Sequence, residues 1–236
     1  FKIYKIMIKS IAIIPARGGS KRIPKKNIKS FYGKPLIYYA IKSAIKSNCF
    51  ERIIVSTDNK QIARISKKYG AEILFMRPKK LSNDKASTRA VTIHCIKFLQ
   101  NLRVKFDYVC QIYPTAVLMN YKNLKKGLNL IKSKKYNFVF GVSEYPYPIQ
   151  RSFKIVKKGG VKMKYPRFRY KSTNNLEKNY HDAGQFYIGH KNSFLNYKPM
   201  FGLKSFPIII GKSDAWDIDD TEDWKIAKSL YKLKKR

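Results

Sequence analysis

Acidic side chains are scarce: 14 Asp and Glu stand against 51 Lys and Arg in 236 residues, a formal net charge of +37. Cysteine and histidine are scarcer still, at three each. Cys49, Cys95 and Cys110 are too widely spaced for a disulfide framework, and so few histidines give no zinc-ligand spacing. That composition suits a reducing cytoplasm. No apolar run reaches the about 18–20 residues of a membrane-spanning helix, so no membrane partner is expected. Disorder is excluded for most of the chain, because 44% hydrophobic residues, with 17 Tyr and 14 Phe, can fill a core.

The positive charge would ordinarily suggest nucleic acid. The kind of base argues otherwise. Forty of the 51 basic residues are Lys, whereas readers of phosphates and base edges lean on Arg. Phe, Tyr, Met, Ile, Asn and Lys supply half the chain, and all use AT-rich codons. Much of the charge is therefore read as codon bias, and no nucleic-acid partner is expected. The position of the acids says more. Asp214, Asp217, Asp219, Asp220, Glu222 and Asp223 place six of the 14 within ten residues.

The length fits one α/β domain over residues 7–236, with Met7 read as the start and residues 1–6 as an upstream extension without function. Short Ile- and Val-rich runs at Ile11–Ala16, Ile53–Thr57, Ile73–Met76, Tyr108–Ile112 and Phe138–Val142 predict buried strands. Helices are predicted from Pro35 to about Ser47, from an Asn59 cap to Gly70, over 87–102 and over 121–134. Such alternation implies a mostly parallel sheet flanked by helices, with the ligand-binding loops along one edge. Residues 143–205, rich in Tyr, Pro, Lys and Asn, read as a small antiparallel insertion with a Gly159-Gly160 turn. A strand at Pro207–Ile210 and a helix from Thr221 to about Lys234 close the pattern.

The chemistry concentrates after the first strand, in Ile14-Pro15-Ala16-Arg17-Gly18-Gly19-Ser20-Lys21-Arg22-Ile23-Pro24-Lys25-Lys26-Asn27. Paired glycines let backbone N–H groups approach an anion, and Arg17 to Lys29 contains six basic residues. Neither a P-loop nor a dinucleotide fingerprint is present. In the acidic cluster, Asp220, Glu222 and Asp223 suit the start of a helix at Thr221. Asp217 is not needed for that. In extended backbone Asp217 and Asp219 share a face about 6.5–7 Å apart, with Ile218 turned to the core. Two carboxylates facing a phosphate chain suit Mg²⁺.

The loop, followed in order by Gly33-Lys34-Pro35-Leu36-Ile37, Ile54-Val55-Ser56-Thr57-Asp58, Arg77-Pro78 through Leu81, Asp84, Ala86 and Ser87, and Asp217-Ile218-Asp219-Asp220-Thr221-Glu222-Asp223-Trp224, resembles the CMP-nonulosonate cytidylyltransferases. That family includes the CMP-sialic acid synthetases, and the resemblance covers Ile11 to about Leu230. It implies a Rossmann-like nucleotidyltransferase that moves CMP from CTP to a nonulosonic acid, depends on Mg²⁺ and forms a homodimer through an insertion like 143–205. By the same resemblance Arg17 and Lys21 are catalytic phosphate contacts. Ala16, Gly18, Gly19, Ser20, Lys26 and Asn27 lie near the nucleotide. Arg77, Ala86 and Thr88 help to enclose cytosine, and Asp217 and Asp219 hold the metal. For Arg77 the competing account is an exposed charge before Pro78.

Departures select a branch. Tyr113-Pro114-Thr115-Ala116-Val117 stands where sialic acid synthetases carry Gln-Pro-Thr-Ser-Pro. Tyr180-His181-Asp182-Ala183-Gly184-Gln185-Phe186-Tyr187, with Tyr147-Pro148-Ile149-Gln150-Arg151, looks like the pseudaminic acid branch. Tyr113, Gln150, His181, Asp182, Gln185 and Tyr187 are the expected sugar contacts, with Tyr145, Tyr147 and Phe186 as aromatic walls. CMP-N-acetylneuraminate or CMP-legionaminate synthesis is the nearest alternative. A glycosyltransferase on a related sheet and a basic nucleic-acid-binding module are more distant ones.

Overall fold

The computed structural model describes residues 10–133, 136–157 and 159–234. The expected start at Met7 and the extension 1–6 lie outside the described residues. β1 (Ser10–Pro15) leads through the basic loop to a short hairpin, β2 (Ser30–Phe31) and β3 (Lys34–Pro35), and then to α1 (Leu36–Ser47). The alternation continues with β4 (Arg52–Ser56), α2 (Lys60–Lys68), α3 (Thr88–Asn101), β5 (Tyr108–Ile112), α4 (Tyr121–Lys132) and β6 (Phe138–Glu144). A hairpin of β7 (Phe153–Ile155) and β8 (Val161–Met163) precedes β9 (Tyr180–His190), α5 (Lys191–Leu195), β10 (Ser205–Ile209) and α6 (Thr221–Leu233).

Six strands form one sheet in the order β10-β6-β9-β5-β1-β4. β1 pairs parallel with β4 and β5, and β6 parallel with β10. β9 runs antiparallel between β5 and β6. The sheet is thus mostly parallel, with one reversed strand in its middle. Period-two alternation divides each strand between two cores. Ala12 and Ile14 of β1 join α1, α2 and α4 on one face. Ile11 and Ile13 meet Ile93, Ile96 and Leu99 of α3 and Phe194 of α5 on the other. These layers make a Rossmann-like fold, a mostly parallel sheet covered by helices on both faces.

Two sequence expectations need correction. Residues 143–205 are not one insertion: Tyr180–His190 is a central strand of the main sheet, and only the excursion between β6 and β9, with its β7–β8 hairpin, stands outside it. Ile73–Met76 is not a strand either. It flanks the edge strand β4 through isolated bridges at Ile54–Glu72 and Thr57–Met76, while Leu74 and Phe75 pack towards the second core.

A third cluster positions the acidic segment. Phe31 meets Tyr39, Trp224 and Tyr231 edge-on, with ring centroids 5.3, 5.4 and 5.5 Å away. Ile23, Leu36, Leu118, Ala227 and the fully buried Ile218 complete this core. Ile218 therefore pins the Asp217–Asp219 segment beside the basic loop. Asp220 caps α6 in a reciprocal capping box with Asp223. Asp223 also accepts from the Asp219 N–H at 2.9 Å and from the Trp216 indole at 3.2 Å. The helix start is thereby tied to the segment preceding it.

Candidate active site

The loops after β1 and β5 leave the carboxyl edge of the sheet together and enclose a cavity of about 460 Å³. Gly18 donates its N–H to Asp58 at 2.8 Å, which fixes the turn after β1 to the end of β4. Any larger residue there would meet Asn59, since an added Cβ would lie 2.9 Å from its Cβ. The chain next turns through Lys25, in left-handed backbone at φ 53°, into a single 3-10 turn at Lys26–Ile28. That turn presents Lys26 and Asn27 to the cavity. Asn27 Nδ2 donates to the Arg17 carbonyl at 2.8 Å, leaving its buried Oδ1 without a partner. Lys26 Nζ donates to the Ile218 carbonyl at 2.5 Å and lies 3.8 Å from Asp219. Burial lowers the Lys26 pKa, against the opposing charges of Asp217 and Asp219.

Arg77 is buried, not an exposed charge before Pro78. Its guanidinium donates to the Ser56 carbonyl, to Ser56 Oγ at 3.2 Å and to the Leu81 carbonyl at 3.5 Å. Loss of hydration pulls its pKa down, partly offset by Asp58. Arg77 thus ties the end of β4 to the next loop while lining the cavity with Ala86 and Thr88. Thr88 Oγ1 lies 3.3 Å from the Tyr113 hydroxyl and accepts from Gln111 Nε2 at 3.2 Å. Tyr113 lines the cavity beside Thr88.

Asp217 and Asp219 face this cavity, as the alternation around Ile218 requires. Water reaches Asp217, yet protein surrounds much of its carboxylate, and that lost hydration pushes its pKa up. Asp219 adds to the rise, while a Thr115 hydrogen bond, Lys26 and the Ile218 N–H oppose it. Gly184, at φ +60°, lies against Asp217, so close that an added Cβ would sit 3.4 Å from the carboxylate. Asp219 pairs with Arg22 at 2.8 Å.

Asp217 also lines a second cavity, of about 240 Å³, with Ser143, Glu144, His181, Lys212 and Trp216. His181 Nδ1 lies 2.9 Å from the Asp182 carbonyl. A carbonyl can only accept, so Nδ1 carries the proton, and in the neutral ring Nε2 is the acceptor. A third cavity, of about 360 Å³, shares Glu144 and Pro146 with the second and adds Tyr145 and Tyr147.

The structure gathers some expected site residues and separates others. Arg17, Ser20, Lys21, Lys26, Asn27, Arg77, Ala86, Thr88, Tyr113, Asp217 and Asp219 share the first cavity. Ala16 is fully buried, Gly18 is half-buried and Gly19 exposed, and none of the three lines the cavity. Of the sugar-contact candidates, His181 lines the second cavity. Gln150 donates to the Glu177 carbonyl at 3.0 Å, and Gln185 donates to the Asp214 carbonyl. Asp182 accepts from the buried Tyr187 hydroxyl, a bond inside the protein. Phe186 is a core residue and no aromatic wall, because alternation along β9 turns it towards α4. Sequence reasoning passed over Thr115, Lys212 and Glu144. Burial raises the Cys95 pKa to about 12, so this thiol stays neutral.

A cationic loop at the carboxyl edge of a doubly covered sheet, faced across one cavity by a pair of aspartates, suits a ligand that carries a phosphate chain. The chain belongs to the cytidylyltransferase family, whose model matches residues 11–204. It is 41% identical to the pseudaminic acid cytidylyltransferase of Campylobacter jejuni, over 96% of this chain and 97% of that one. Identity to the CMP-N,N'-diacetyllegionaminic acid synthase of Legionella pneumophila is 30%, covering 94% and 96%. A solved CMP:2-keto-3-deoxy-manno-octonic acid synthetase in complex with CTP superposes with a TM-score of 0.69 at 14% identity, covering 96% and 99%. That likeness speaks for the fold. Among the described residues no helix is long and apolar enough to cross a membrane.

Proposed function

We propose that the protein transfers CMP from CTP to the anomeric hydroxyl of pseudaminic acid and releases pyrophosphate. The observation that carries this reading is the sharing of Asp217 between two cavities, one cationic and one next to it for an acceptor. CTP occupies the larger cavity, with its phosphates at Arg17 and Lys21 and its base towards Arg77, Ala86 and Thr88. Arg17 and Lys21 stabilise the charge that grows on the departing pyrophosphate. Holding both reactants across Asp217 supplies the orientation that this displacement needs.

Asp217 and Asp219 would hold Mg²⁺. The donor set fits, because it consists of oxygens: two carboxylates with the Thr115 hydroxyl beside them. Among the described residues no group of three or more His, Cys, Asp or Glu gathers, so water and phosphate would have to complete the shell of an ion held here. When bound, Mg²⁺ supplies charge neutralisation to the triphosphate.

In the acceptor space Lys212 offers a cation to the sugar carboxylate, and His181 Nε2 accepts from an amide. Tyr145 and Tyr147 give the apolar end suited to a methyl group at C9. The identity to a relative named for pseudaminic acid supports the same branch. Comparison of kcat/KM for pseudaminic, legionaminic and N-acetylneuraminic acids, at fixed Mg²⁺ and CTP, tests it. Pseudaminic acid is expected to lead, with N-acetylneuraminic acid lower by no more than about 10²-fold, since apolar pockets reject an added hydroxyl weakly. If N-acetylneuraminic acid equals or exceeds it, the branch is wrong and CMP transfer stands.

The proposal includes a cytoplasmic homodimer. Phe153, Ile155 and Val161, on one face of the β7–β8 hairpin, are 54%, 87% and 67% exposed, an apolar face suited to a second copy. Light scattering should give twice the 27.6 kDa of one chain. A single-chain mass at micromolar concentration would remove the dimer.

A further inference from the structure

Asp84 stands in the loop between the turn at Lys79–Leu81 and α3. Its two carboxylate oxygens are divided between two cations: Oδ1 lies 2.6 Å from Arg17 Nη2, and Oδ2 lies 2.6 Å from Lys21 Nζ. All three side chains line the larger cavity. Hydrogen bonds from Lys21 and Arg17 hold the Asp84 carboxyl below the usual carboxylate range. It is therefore ionised at neutral pH. In a chain with 14 acids against 51 bases, one acid engages both cations that the proposed function gives to the phosphates.

A phosphoryl group presents what this carboxylate presents, oxygens set for two cationic donors, with more charge. We infer that Asp84 is an internal counter-ion occupying the phosphate cradle of Arg17 and Lys21, displaced when CTP binds, and that it sets how tightly pyrophosphate is held. The inference rests on the reading of those two cations as phosphate ligands. Any ligand that needs both must first break the Asp84 pairs, so CTP and pyrophosphate are weakened by the same factor. CTP keeps its base and ribose contacts, whereas pyrophosphate has none. The weakened cradle thus holds substrate and lets product go. The loop carrying Asp84 is released in the same event, because these pairs join it to the loop after β1.

The opposing account makes Asp84 a tether that pre-positions the two cations. The accounts differ in sign. Removing a counter-ion tightens anion binding, whereas removing a tether loosens it. Calorimetric titration of the full chain with inorganic pyrophosphate and with CTP, at constant Mg²⁺ and two ionic strengths, distinguishes them. Wild type would be compared with Asp84→Asn and Asp84→Ala, and the half-exposed position makes both compatible with folding. The Kd for pyrophosphate is expected to fall about tenfold in both variants, within what two exposed ion pairs allow. CTP should tighten by a similar factor. Binding should also weaken more steeply with salt, because the bared cations are then neutralised by mobile ions. Unchanged or weaker pyrophosphate binding in variants that still take CTP would overturn the counter-ion. If the wild type bound no CTP, the function proposed above would fail first and the inference with it.

Discussion

Asp217→Ala and Asp219→Ala are each expected to lower turnover by roughly 10²–10⁴-fold while leaving the fold intact, because the charge stabilisation lost from the phosphates amounts to several kcal/mol. Both carboxylates face the cavity and Ile218 between them anchors the segment, so truncation removes function without opening the core. Chelation of divalent ions should reproduce the loss. Asp220→Ala is the control, because its carboxylate accepts from the Glu222 and Asp223 N–H groups at 2.9 and 3.0 Å. That change should cost about 1 kcal/mol of stability and lower Tm by about 2–4 °C, with turnover retained well below Tm. Full activity in all three variants would reduce the acidic cluster to a helix cap.

Arg17→Ala is expected to lower kcat/KM for CTP by about 10²–10³-fold, the range found when one donor to developing charge is removed. Arg17 is one-third exposed and its backbone carbonyl is held by Asn27, so the guanidinium is presented from a fixed base. Arg17→Lys should recover only part of the loss, since an ammonium lacks the planar fork that engages two oxygens. Lys21, 81% exposed, should matter less, about tenfold in kcat/KM, as a screened charge would. If Arg17→Ala left kcat/KM within threefold of wild type, Arg17 would have no share in phosphate binding.

β1, β4 and β5 were legible because they are short, largely apolar runs buried on both faces, and α2 because Asn59 and Gly70 mark its ends. Strand direction was less legible. β9 begins with exposed and half-buried residues at Tyr180–Asp182 and only then becomes buried, so it reads as the end of an excursion and not as a central strand. Ile73–Met76 carries a strand-like composition, but Arg77 anchors to Thr57 through its own N–H at 2.7 Å and the residues between leave the edge of β4. In the site, the concentrated acids and the basic loop could be found because charge of one sign was scarce and the other locally dense. The pairing of Asp84 with Arg17 and Lys21, and the meeting of Lys212 and Asp217 with Glu144 and His181 around the second cavity, depend on contacts between segments far apart in sequence. No local pattern encodes them. Gln150, Gln185 and Tyr187, expected to meet the sugar, each donate a hydrogen bond within the protein, to the Glu177 and Asp214 carbonyls and to the Asp182 carboxylate.

The most direct test follows the α-phosphorus. The protein would be incubated with CTP labelled at that atom, Mg²⁺ and pseudaminic acid, with UTP and ATP in parallel. The account predicts label in a CMP-sugar, one pyrophosphate released for each product formed, and kcat/KM for CTP far above that for either other nucleotide. Label recovered only as free CMP or CDP, or comparable kcat/KM for all three nucleotides, would contradict it.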